Sequence, residues 1–134
     1  MKKIALVILS VLIILVIGRF LSIEPTLRGF YQSDEVNGYF VQILFREKDK
    51  SFVEWISNRE VDRGTYTKID TNVYIIKSNK QNVEITLNGD NSFEISINKL
   101  NEGNPITMKN ISSEDHNRGF GNFDDVDEYK SLLD

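Results

Sequence analysis

The sequence predicts a mainly β fold: an N-terminal hydrophobic helix, then a small antiparallel up-and-down barrel of about eight strands or a β-sandwich, then a short C-terminal helix. Three observations carry this. An uncharged apolar run, Ile4 to Gly18, follows Met1-Lys2-Lys3. Eight short segments rich in β-branched and aromatic residues are separated by turn-forming residues. A closing amphipathic stretch places its acids first and a lysine last, the order that suits a helix dipole. The implied organisation is a signal-anchor or transmembrane segment over 1–23, an all-β domain over 24–112 and an acidic polar tail over 113–134.

The hydrophobic segment sets the compartment. A positive start and an apolar run are shared by signal peptides and signal anchors, which differ in length and in cleavage site. A spanning helix takes about 20 residues and the apolar part of a signal peptide about 7–15. Ile4 to Ile23 reaches the longer figure if Arg19 snorkels toward the outer surface. No A-x-A cleavage site is visible, and Val16-Ile17-Gly18 is a poor substitute. The expectation is an uncleaved single-pass segment with the C-terminal domain outside. The alternative is secretion after cleavage near Gly18. Either way Lys2 and Lys3 hold the cytoplasmic end. A buried core helix is a poor fit to a helix apolar on all sides.

The chain has no cysteine, which excludes a disulfide framework, a Cys-based zinc site and a lipid-modified cysteine. Export without cysteine suits a bacterial envelope protein. The net charge is −4. Setting aside Lys2, Lys3 and Arg19, the remainder carries 13 basic and 20 acidic residues. No basic stripe exists for a phosphate backbone to follow, so nucleic acid is not an expected partner.

The strands are read at Leu27 to Gln32, Tyr39 to Arg46, Ser51 to Ser57, Gly64 to Ile69, Val73 to Lys77, Val83 to Asn88, Ser92 to Leu100 and Ile106 to Ile111. Period-2 alternation is clearest late: Val83, Ile85 and Leu87, then Phe93, Ile95 and Ile97, then Ile106 and Met108, each alternating with polar neighbours. Short connections imply sequential antiparallel pairing, and closure into a barrel would remove the two edges. Gly29-Phe30-Tyr31 at the opening and Gly64-Thr65-Tyr66 mid-chain resemble the small lipocalin-like barrels. That resemblance implies a fold and no function.

The second and third strands break the alternation. With Glu47 to Lys50 as the loop, Phe45 faces Phe52, Leu44 faces Val53, Ile43 faces Glu54 and Gln42 faces Trp55. One face then collects Tyr39, Val41, Ile43, Phe45, Phe52 and Ile56, with Glu54 among them. The other collects Phe40, Leu44, Val53 and Trp55; a three-residue loop would swap the third-strand set. A hairpin apolar on both sides must be covered on both. Either the tail lies over the second face through Phe120, Phe123, Val126 and Tyr129, or a partner does, or a second sheet.

Catalytic chemistry finds little footing. His116 is the single histidine and sits in a polar tail, so neither a multi-His metal site nor a Ser-His-Asp site is expected. Ser96-Ile97-Asn98-Lys99 matches an S-x-x-K string, which needs a helical turn rather than the strand read here. The acids from Asp124 to Glu128 lack the spaced ligands of a calcium loop. Asp and Glu are plentiful, but sequence alone pairs none of them. No metal or cofactor is expected. The expected function is non-enzymatic: a membrane-tethered extracytoplasmic binding or accessory domain that offers Phe40, Leu44, Val53 and Trp55 to an envelope or protein partner. The alternatives are a lipocalin-like carrier of one small apolar ligand and an envelope hydrolase.

Overall fold

Each apolar segment becomes a strand because its turn residues release it at both ends. In a computed structural model, which describes residues 1–21 and 24–134, the strands are β1 (Gly29–Ser33), β2 (Val41–Arg46), β3 (Ser51–Ile56), β4 (Arg59–Asp70), β5 (Val73–Lys77), β6 (Asn82–Thr86), β7 (Phe93–Ile95) and β8 (Ile106–Ser112). They form a single sheet in the order β6-β5-β4-β3-β2-β1-β8-β7, with every pairing antiparallel. Since β8 returns to β1, the meander rolls into a nearly closed barrel. The seam without a ladder lies between β6 and β7, where the Asn88 N–H donates to the Ser92 carbonyl at 2.7 Å. One rolled sheet replaces the sandwich alternative.

The β2–β3 register is the expected one, from Arg46 opposite Ser51 to Val41 opposite Ile56. The alternating faces also hold. Ile85, Leu87, Phe93, Ile95, Ile97, Ile106 and Met108 are buried, while Glu84, Thr86, Glu94, Ser96 and Thr107 are exposed. The interior is packed by large side chains, with Tyr31, Phe45, Phe52 and Phe93 all below 2% exposed. Phe45 is the hub, with ring centroids 5.7 Å from Tyr31, 5.2 Å from Tyr66 and 5.9 Å from Phe93.

The Gly-x-Tyr triplets acquire a physical reason. A Cβ on Gly29 would overlap the Ser112 carbonyl, and one on Gly64 would overlap the Lys77 carbonyl. These are points where strand curvature brings neighbouring backbones too close for a side chain. The tyrosine two positions on, Tyr31 or Tyr66, then enters the core on the same face. The paired Ser-Phe dipeptides are also structural. Asp49 Oδ1 accepts from the Ser51 N–H and hydroxyl at 3.2 and 2.5 Å. Asp90 Oδ1 accepts from Ser92 in the same way at 3.1 and 2.6 Å. Lys50 and Asn91 sit between at positive φ. Each Asp-x-Ser-Phe turn thus ends by launching a core phenylalanine.

Two expectations need correction. The segment Ser92 to Leu100 is not one strand: β7 stops at Ile95, and a single-turn helix α2 (Asn98–Asn101) follows. There the Ile97 carbonyl accepts from the Leu100 and Asn101 N–H groups, which ends the ladder and tucks Leu100 into the core. The second correction concerns the N-terminal helix (Lys2–Leu21), whose side chains from Met1 to Gly18 are all exposed, so it is no part of the barrel core. Among the described residues no helix is long and apolar enough to cross a membrane. The uncharged run from Ile4 to Gly18 is about 22 Å long, against a hydrocarbon core of about 30 Å. Ser22, Ile23 and the side chain of Arg19, on which the spanning length depended, lie outside the described residues.

The face assignment can be tested directly. Ile95→Ala is expected to cost about 2 kcal/mol, the low end for a buried isoleucine, because β7 borders the seam and its neighbours can close in. Ser96→Ala should change stability by less than about 0.5 kcal/mol. Denaturant melts of the two variants giving equal midpoints would reverse the assignment.

Candidate functional site

The outer face of β1 to β3 is apolar at its centre, where Phe30, Leu44, Val53 and Trp55 form a second buried cluster. What covers it is the tail. From the end of β8, the tail passes the β2–β3 turn, where the Glu47 N–H donates to Asp115 at 3.1 Å. Arg118 then lies over the Phe30 ring at 4.0 Å. The Phe120 ring meets Phe30 at 6.4 Å and Trp55 edge-on at 5.4 Å. At the far end Arg59 clamps the strap. Its Nε and Nη2 donate to the two Asp125 oxygens at 2.9 and 2.8 Å, and its guanidinium stacks between Phe123 and Tyr129 at 4.1 and 4.5 Å. The hydrogen bonds from Arg59 hold the Asp125 carboxyl below its ordinary range.

The C-terminal helix is short, as expected: α3 (Val126–Lys130) gives way to a 3-10 turn over Ser131–Leu133. Lys99 donates to the Ser131 carbonyl at 2.9 Å and Lys80 to Asp134 at 3.0 Å. Tyr129, Leu132 and Leu133 pack on the main core, and Tyr129 meets Tyr39 at 5.8 Å. Lys99, on the α2 turn and not on a strand, is therefore engaged with the tail.

Leu44, Val53 and Trp55 lie at 0%, 4% and 5% exposure, and Phe40 at 37%. Leu44 is sealed beneath the tail, whereas Val53 and Trp55 keep only a narrow edge open toward the space beside it. Among the tail residues, Phe120, Phe123, Val126 and Tyr129 are all half-buried. Between the tail and β3–β4 remains a cleft of about 800 Å³, floored by Val53 and Trp55 and walled by Phe120, Phe123 and Val126. Five cations also line it: Arg46, Arg63, Lys80, Arg118 and Lys130. None of these was legible as a site, because the residues are scattered along the chain and converge only when the tail crosses the sheet. His116 lies far out on the tail, 81% exposed and 3.1 Å from Glu114.

One carboxylate pair also emerges. Glu54 points into the barrel, and Gln81 bridges it to Asp62, donating at 2.5 and 2.7 Å. Asp62 also accepts from the Ser78 hydroxyl at 2.6 Å. Burial pushes the Glu54 carboxyl up to about 7, the Gln81 bond opposes this, and the charge of Asp62 adds to it. Asp62 borders the cleft, but Glu54 is only 1% exposed and sealed on the inner side. The two do not form an open acid–base pair. Among the described residues no group of three or more metal-ligating side chains occurs.

No family model matches the chain, and neither the curated proteins nor the solved structures provide a match. The class is set by architecture alone: an up-and-down eight-stranded barrel with a C-terminal strap across its outer face.

Proposed function

We propose that this chain is an exported, non-enzymatic binding domain that engages its partner in the outer cleft, between the strap and β3–β4. The observation that carries this is the contrast between a barrel interior packed with large aromatic and aliphatic side chains and an outer cleft of about 800 Å³. Such a volume falls within the roughly 300–1,000 Å³ of ligand pockets. The packed interior weighs against the lipocalin-like carrier. Delivery by the N-terminal segment is supported by its exposed, uncharged apolar surface on all sides, which water does not favour. Its 15 uncharged residues, Ile4 to Gly18, suit the apolar part of an export signal.

The absence of cysteine makes one experiment sufficient. Asn122→Cys at the cleft and Thr107→Cys on the exposed face of β8 each introduce a single thiol. Both should react with a membrane-impermeant maleimide in intact cells. With a benzophenone maleimide, only Asn122→Cys should yield a crosslinked product. Labelling that appears only after lysis would overturn export, and equal crosslinking from both positions would overturn the cleft.

A further inference from the structure

We infer that the outer cleft takes an anionic ligand, a carboxylate or phosphate carried on an apolar body, with Arg46 and Arg118 as its head-group contacts. This rests on the reading of the cleft as a binding site and adds the chemistry it selects. The first support is charge. On a chain of net charge −4, the cleft gathers five cations and only two carboxylates, Glu60 and Asp62. Both carboxylates are already engaged, Glu60 in an ion pair with Arg63 and Asp62 with Ser78 and Gln81. Lys80 is paired with Asp134. Among the described residues, Arg46, Arg118 and Lys130 form no ion pair.

The second support is the state of the two arginines. Arg46 ends β2 on the strap side and lines both this cleft and a smaller one of about 350 Å³ that it shares with Lys48, Asp49, Asp115 and Asn117. Its Nε is buried and finds no acceptor among the described residues. A buried N–H without an acceptor is costly, and an anion on the guanidinium fork would relieve it. Arg118 lies over the Phe30 ring at 4.0 Å and, among the described residues, its N–H groups make no hydrogen bond or ion pair, which leaves them for an oxyanion. The third support is the floor. Val53, Trp55, Phe120 and Phe123 supply apolar surface beside these cations, so an anion with an apolar body gains from both.

The test uses the full chain in a neutral detergent, titrated with 2-naphthyl phosphate, 2-naphthylacetate and the uncharged 2-naphthaleneethanol. Trp55 is the only tryptophan, so its indole N–H gives a single resonance in a proton–nitrogen spectrum. Both anions should shift that resonance saturably, with the neutral compound weaker by about tenfold or more. Arg46→Gln should weaken both anions by about tenfold and leave the neutral compound unchanged. Arg118→Lys, which keeps the charge but loses the guanidinium fork, should give an intermediate loss with the spectrum otherwise intact. The stronger of the two anions identifies phosphate or carboxylate as the natural head group. Equal binding of all three compounds would overturn the anion inference and leave the cleft standing. No saturable shift with any of them would overturn both.

Discussion

Gly64→Ala is expected to cost roughly 4 kcal/mol or more, a large part of the stability of a domain this size, with the loss read as a collapse of the denaturant midpoint. The reason is geometric. An added methyl would overlap the Lys77 carbonyl oxygen of β5 and press on the Phe52 ring at 2.9 Å. The first neighbour is ladder backbone and cannot rotate away, and the second is one of the least exposed side chains in the core. Relief would require β4 to separate from β5 at this point of close approach. Gly29→Ala should behave alike, since it combines overlap with the Ser112 carbonyl and a φ of +82° that a side chain rarely adopts. Gly89→Ala is the control. It has open space around it and no positive φ, so it should fall within about 0.5 kcal/mol of the parent. A Gly64→Ala protein as stable as Gly89→Ala would mean that the β4–β5 approach is wrong.

Glu54→Gln is expected to stabilise the protein by about 3 kcal/mol at pH 8 and to leave it nearly unchanged at pH 4. The Glu54 carboxyl is raised from 4.5 to about 7, chiefly by burial. Below pH 4.5 it is protonated in the native and unfolded chains alike, and nothing is lost. Between pH 4.5 and about 7 the unfolded chain releases its proton while the native chain keeps it. Stability therefore falls as pH rises through that window, and the loss is complete above it. Glutamine stays neutral throughout and can still accept from Gln81. Melts of both proteins from pH 4 to pH 8 should diverge steadily. Parallel curves would show that Glu54 titrates in the native barrel as it does in the unfolded chain, with its burial offset by its partners.

The sequence by itself determined the strand count, the antiparallel pairing of chain neighbours everywhere except at the β6–β7 seam, and which residues of β6 to β8 turn inward; the register of β2 against β3 followed only with Glu47 to Lys50 as the loop. These follow from local rules: a period of two, short turns, and the fact that a one-residue slip would expose a whole buried face. It also raised the right question about the second hairpin, because an apolar row on each side of a strand pair demands two covers. It could not choose the cover. That depended on Phe120 reaching Trp55, and on Arg59 meeting Asp125, 66 positions away in the chain.

The end of β7 was illegible for a related reason. Phe93, Ile95 and Ile97 alternate as a strand would, and only the packing of Leu100 and the α2 turn stops the ladder at Ile95. The two glycines were visible as a motif, but their necessity comes from curvature, which exists only once β8 has returned to β1. The cleft cations and the Glu54–Gln81–Asp62 bridge belong wholly to tertiary structure. Charged residues carry no periodic signal, and their chemistry is set by which of them the closed barrel and its strap leave without a partner.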